Sequence, residues 1–236
     1  MTSYTYKNQS IEFQLTLKKR KTQGIYLDAY GNIELRVPRN TTDQQIKDLL
    51  EAKWSWIIEK QAEMRERTKG FKEKTYEDEE EFMYLGKTYP IKVVIESDLS
   101  RPKVSFVEDY LEIVISEQDP EVIKKALTRY YKQQCKALVE GRIRHYQPNF
   151  KMKPKSIKIS SNKKHWGSCT SLRALTFNWK LAMAPLEVLD YVVIHEMCHM
   201  VHMNHDRSFW RLVGKYMPDY ESKQAWLQQS HWKMVV

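Results

Sequence analysis

The sequence predicts an α+β fold, and three observations carry that prediction. Apolar residues alternate with period two through the first third of the chain and again between residues 82 and 115. Apolar residues at helical spacing run from Ile46 to Ile58 and from Val122 to Tyr131. A strongly apolar stretch, Leu186 to Val201, then follows an alternating segment almost without a break. The two periods, 2 and 3.6, are the signatures of half-buried strands and amphipathic helices.

The chain has 236 residues, enough for one large domain or two small ones with a real core. With 42% apolar and 29% charged residues, the composition is that of an ordinary folded protein and excludes a disordered or collagen-like one. No apolar run approaches the ~18–20 residues needed to cross a bilayer, so no membrane partner is expected. The opening MTSYTYKNQSIEF lacks the pattern of a secretory signal. Three cysteines, Cys135, Cys169 and Cys198, are an odd number without paired spacing, which argues against a disulfide framework and for a reducing, cytoplasmic setting.

In chain order, Ile11, Phe13, Leu15 and Leu17 mark a strand. IYLDAYGNIELRV places alternating residues on both sides of Tyr30-Gly31-Asn32, a hairpin turn, and Pro38 closes the sheet. Thr42 and Gln45 form a capping-box start. Ile46, Leu49, Leu50, Trp54, Ile57 and Ile58 then predict one long helix of about 25 residues, with Trp54 and Trp56 at core and rim. TYEDEEE, residues 75–81, reads as a polar acidic linker. The expected division is a β-rich region with its helix over 1–75 and a second domain over 76–236, one compact unit being the alternative.

Strand-like segments follow from Phe82 to Ile95, turning at Gly86-Lys87, and from Val104 to Ile115, turning at Glu108-Asp109. Pro120 to Gln147 is helical. SIKIS is a short strand, and Leu175, Phe177, Trp179, Leu181 and Met183 form one face of another. Pro185 suits the first position of the helix that follows. There is no repeat of fixed period.

The net charge of +9 is concentrated. From Arg142 to Arg173 there are nine Lys and Arg and no Asp or Glu, and Lys18-Lys19-Arg20-Lys21 forms a smaller run. Such a field attracts polyanions, namely nucleic acid, nucleotide phosphates or an acidic peptide, although a solvated basic face would carry the same charges.

Four of the seven histidines fall within HEMCHMVHMNH, residues 195–205. His195 and His199 stand one helical turn apart on one face, with Glu196 beside them. This H-E-x-x-H arrangement binds a divalent ion with two imidazoles and sets a carboxylate next to it as general base. A catalytic zinc takes three protein ligands, and the candidates for the third are His202, His205 and Glu221. His202 on a continuing helix would string three imidazoles along one line, a poor match to three corners of a tetrahedron. His205 escapes that problem if the chain turns back after Val201, with Asn204 available for a left-handed turn. The reading therefore favours His195, His199 and His205. His165 and His231 are isolated. Cys169 and Cys198 read as structural, with Cys169 a candidate to line the site.

HWGSCTSLRALTFNWKLAMAPLEVLDYVVIHEMCHMVHMNHDRSFW closely resembles the YgjP-like metal-dependent hydrolases, a family related to the SprT-like zinc metalloproteases. The resemblance rests on Trp166 to Cys169, Asn178-Trp179, Asp190 to His199 and Asn204 to Trp210, and extends over nearly the whole chain. It implies one zinc ion per chain held by His195, His199 and His205, with Glu196 catalytic and Trp166, Asn178 and Trp179 facing substrate. It also implies a C-terminal zincin-like metallopeptidase domain whose active-site helix packs on a small antiparallel sheet. His165 stands where the family usually has Arg, and His202 where metzincins need Gly.

The expected activity is a zinc-dependent peptidase acting on a peptide or protein, with the strand Leu175 to Met183 available for strand addition and Tyr191, Tyr216, Tyr220 or His231 for oxyanion stabilisation. The alternatives are a metal-dependent nucleoside triphosphate (UTP) pyrophosphatase using the Arg142–Arg173 segment, and a non-enzymatic nucleic-acid-binding zinc protein. Seven glycines leave little room for a phosphate-cradling loop.

Overall fold

The computed structural model describes residues 2–28, 31–69, 74–162 and 164–236. Tyr30 of the expected turn and Lys163 of the basic run lie outside them. The architecture is α+β, with six α-helices and three small mixed sheets among the described residues. The chain divides into two compact units, Met1–Lys72 and Glu73–Val236.

In the first unit β1 (Thr2–Tyr6), β2 (Gln9–Lys18), β3 (Gly24–Leu27) and β4 (Ile33–Pro38) lie in the order β1-β2-β4-β3. Two antiparallel hairpins are joined through a parallel β2–β4 pair. Ile11 and Phe13 of β2 and Leu35 of β4 are buried, whereas Leu15 and Leu17, further along the same alternating face of β2, are exposed. Thr42 and Gln45 close the capping box at the start of α1 (Asp43–Ala52). The single long helix is corrected here. It breaks at Lys53 (φ −113°, ψ 10°), where the Lys53 N–H donates to the Leu50 carbonyl, and resumes as α2 (Trp54–Arg67). No Gly or Pro marks the break. Its packing result is that Leu50, Trp54 and Ile57 reach one core while Trp56 stays exposed.

In the second unit β5 (Glu81–Tyr84), β6 (Lys87–Ile95), β7 (Lys103–Val107) and β8 (Tyr110–Ile115) repeat that topology, in the order β5-β6-β8-β7 with β6 and β8 parallel. The residues read as a free acidic linker are docked instead. Ile91 donates its N–H to the Glu80 carbonyl and accepts from Glu79, Val93 donates to Asp78 Oδ1, and Tyr76 is buried. α3 (Pro120–Tyr146) starts at Asp119, whose side chain caps Glu121 at 2.8 Å, and buries Ile123, Leu127, Tyr131, Cys135 and Val139 along one stripe.

The third sheet, β9 (Ser156–Ser160), β10 (Gly167–Cys169) and β11 (Ala174–Asn178), has the order β10-β11-β9. β10–β11 is antiparallel and β9–β11 parallel, so the expected antiparallel sheet is mixed. The strand expected through Met183 stops at Asn178, whose side chain accepts from the Lys180 N–H and starts a 3₁₀ turn, Trp179–Met183. Four of its five residues, Trp179, Leu181, Ala182 and Met183, are buried, which is why its apolar pattern mimicked a strand. α4 (Leu186–His199) follows with Pro185 as its N-cap, one position before the expected one, and then α5 (Arg207–Tyr216) and α6 (Tyr220–Ser230). No helix among the described residues is long and apolar enough to cross a membrane.

Candidate metal centre

α4 runs through the core with Val188, Leu189, Val192, Val193, Ile194 and Met197 buried around it. Burying polar groups on such a helix costs free energy unless each is satisfied. Asp190 is satisfied by Arg142 and Tyr146 of α3. His195, Glu196 and His199 are left, gathered at its C-terminal end.

The helix closes tightly there: Val201 and His202 both donate N–H bonds to the Cys198 carbonyl, each at 2.9 Å. Asp206 then caps α5 by accepting from the Phe209 N–H at 2.9 Å, so His205 sits just ahead of a fixed helix start. Asn204 does not take the left-handed conformation considered for it; the reversal is made by the tightened helix end and the Asp206 cap.

This turn brings the Nε2 atoms of His195, His199 and His205 to 3.2, 3.1 and 3.1 Å from one another. Among the described residues they form a group that could hold a metal ion. His199 Nδ1 lies 3.0 Å from the His202 carbonyl. A carbonyl only accepts, so Nδ1 carries the proton and Nε2 presents its lone pair. Burial, reinforced by the neighbouring imidazoles, drives His195 down to about 3 and lowers His199 as well. Both are neutral, ligand-competent imidazoles at neutral pH. A cation among the three Nε2 atoms would lie within reach of each of them. A tetrahedral ion with metal–nitrogen bonds of about 2.0–2.1 Å requires N···N edges of about 3.3 Å, close to the spacing found. The residues fit a divalent metal.

Phe209 is the floor of the triad. Its ring centroid is 4.9, 4.4 and 4.8 Å from those of His195, His199 and His205, and it is fully buried. Trp210 stacks on His205 at 5.6 Å and on Tyr220 at 5.2 Å. Glu196 is 4% exposed, its Oε2 has no hydrogen-bond partner among the described residues, and burial pushes its carboxyl up to about 8.

A cavity of about 470 Å³ opens over the three imidazoles and Glu196. Trp166 and Cys169 line it; Asn178 and Trp179 do not. Asn178 braces the chain, donating to the Asn162 carbonyl at 2.7 Å, and Trp179 is buried against Tyr131. Glu221 is exposed and outside the triad. His202 contributes its backbone oxygen. Of the oxyanion candidates only Tyr191 lines the cavity. Tyr216 donates to the Asn149 carbonyl, Tyr220 stacks on Trp210, and His231 Nδ1 lies 3.0 Å from the Gln228 carbonyl.

Two further expectations are corrected. β11 is the central strand, so its backbone is already paired on both sides and cannot add a substrate strand; the sheet edge at the cavity is β10. Arg142 is paired with Asp190 rather than free to bind a polyanion. Met203, Gln224 and Gln228, which sequence reasoning missed, also line the cavity, together with Lys164 of the basic run and His165, which had read as isolated. Gln224 and Gln228 are one turn apart on α6, a spacing that has no meaning until α6 packs on α4. The chain matches the family described as YgjP-like, metallopeptidase domain, over residues 21–230. No curated protein matches it.

Proposed function

The chain belongs to the YgjP-like metallopeptidase-domain family and is thereby a metal-dependent hydrolase, and on that premise we propose a zinc-dependent peptidase with Glu196 as general base. His195, His199 and His205 would hold one zinc ion per chain. The observation that carries this reading is the convergence of their three Nε2 atoms beside a buried carboxylate with an unpaired oxygen. We read the helix-on-sheet arrangement of α4 and β10 as zincin-like.

When bound, zinc supplies Lewis acidity, polarising a carbonyl and acidifying water at neutral pH. Glu196 Oε2, with no protein donor on it, takes the proton of the attacking water and returns it to the leaving amine. Desolvation raises the proton affinity of this carboxyl, which serves the capture of that proton, while a cation held by the three imidazoles would favour the ionised form that the base role starts from. Tyr191 stays protonated, its hydroxyl pushed up to about 12 by burial, and so serves as a neutral donor to the developing oxyanion. An extended peptide would pair with the free edge of β10, which leaves the core strand β11 undisturbed.

The nucleoside triphosphate alternative draws on Lys164 alone from the basic run, since among the described residues no other Lys or Arg lines the cavity. One lysine is a weak cradle for a triphosphate. The test is Glu196→Gln with metal analysis and parallel assays on unfolded casein, UTP and ATP. The expected result is full zinc content with casein hydrolysis reduced about 10²–10⁴-fold. Wild-type rates in the variant would overturn the base assignment, and turnover of UTP without casein would establish the alternative.

A further inference from the structure

β10 passes over α4 where Glu196 lies, and Gly167 is the first residue of that strand, opposite Phe177 of β11. Positive φ is confined, among the described glycines, to Gly31 and Gly86. The backbone of Gly167 is one that any residue could adopt, so conformation does not explain the glycine. Space does. A Cβ built there would lie 2.5 Å from Glu196 Oε1, 2.6 Å from its Cγ and 2.8 Å from its Cδ, where ordinary contact begins at 3.4 Å.

No nearer obstacle exists, since these three atoms are the closest to the added carbon. The contact includes Cγ, so turning only the carboxylate does not relieve it. Glu196 cannot retreat into solvent, being 4% exposed. Its backbone cannot retreat either, because it belongs to α4, whose Val192, Val193, Ile194, Met197 and Cys198 are buried around it.

We infer that Gly167 is a positioning residue for Glu196: the absence of a side chain lets the edge strand close onto the carboxylate and hold it in one place. The inference rests on the reading of Glu196 as base. Substituting alanine forces either the strand or the glutamate to move by about 1 Å, a displacement that costs roughly 100-fold when a reacting group is concerned.

The test combines stability, metal binding and kinetics on the full chain. Thermal unfolding of the metal-free protein is measured for Gly167→Ala in the wild type and in a Glu196→Ala background. The midpoint is expected to fall by several degrees in the first and to stay level or rise in the second, where the obstructing atoms are gone. Equal losses in both backgrounds, or none in the wild type, would overturn the inference. Cobalt(II) titration followed by visible absorption should give wild-type affinity and spectrum for Gly167→Ala, and a lost cobalt site would likewise count against it. Kinetics of the zinc-loaded variant should show kcat down about 100-fold with KM within about twofold. A raised KM with unchanged kcat would make Gly167 a substrate-docking position instead. Full activity in Glu196→Gln would sink the base assignment separately, because the stability coupling between positions 167 and 196 does not depend on activity.

Discussion

Arg142 on α3 grips Asp190 on α4 in a two-pronged ion pair, Nη2 to Oδ2 at 2.8 Å and Nε to Oδ1 at 2.5 Å, and Tyr146 adds its hydroxyl to Oδ2 at 3.0 Å. Asp190 is 7% exposed and sits on the helix that carries His195 and His199. Removing the guanidinium strands a carboxylate in the core. Arg142→Ala is expected to cost about 3 kcal/mol, at the lower end for a buried pair because a quarter of the arginine side chain is solvated. Urea unfolding measures it, and a cost below about 1 kcal/mol would show the pair to be surface-like.

His202 and His205 should behave oppositely. His202 acts through its backbone oxygen, so His202→Ala keeps that contact and should hold metal within about tenfold of wild type. His205→Ala removes a converging nitrogen and should lose more than the roughly 10–100-fold expected for an outer contact. A competitive chelator titration ranks the two, and the reverse order would refute the ligand set.

Phe209→Leu opens space beneath all three imidazoles. The expected cost is about 1–2 kcal/mol in stability, with zinc affinity falling alongside it because, among the described residues, no other ring packs on every member of the triad. Unchanged affinity in a measurably destabilised variant would show that the floor does not order the imidazoles.

Gly86→Ala should be among the more damaging small changes in the second unit. Gly86 has φ +84°, and a Cβ there would meet Pro185 Cγ at 2.7 Å and Cα at 3.0 Å. The Gly86 and Leu85 N–H groups bond the Met183 and Ala182 carbonyls, tying the β5–β6 turn to the entry of α4. Strain and clash together predict a loss of about 2–4 kcal/mol, readable as a lower urea midpoint at unchanged slope.

Metal removal should destabilise as well as inactivate. At free zinc of about 100 times Kd, binding to the native state alone adds about 2.7 kcal/mol, so a chelator should lower the thermal midpoint by several degrees and readded zinc restore it. A midpoint indifferent to chelator would contradict a three-imidazole site.

The local grammar of the chain was readable in advance. The capping box at Thr42 and Gln45, the α3 helix and the paired hairpins of β5–β8 follow from period, cap and turn chemistry, all settled within a few residues. The break at Lys53 was not readable, because it carries no Gly or Pro and exists to bring Leu50, Trp54 and Ile57 into one core. The 3₁₀ turn Trp179–Met183 misled for the opposite reason: with four of its five residues apolar and buried, its pattern fits more than one period.

By itself the sequence determined which side chains share a face: His195 and His199 one turn apart with Glu196 adjacent, on a helix too apolar to lie anywhere but inside. Only the tertiary structure decided what that face meets. It brought His205 back onto the pair, laid the edge strand and Gly167 against Glu196, set Phe209 beneath the three rings, and engaged Arg142 with Asp190 rather than a polyanion. The physical reason is range. Helix and strand periods act over a few residues and can be read along the chain, whereas contacts between distant segments exist only after those segments have packed against one another.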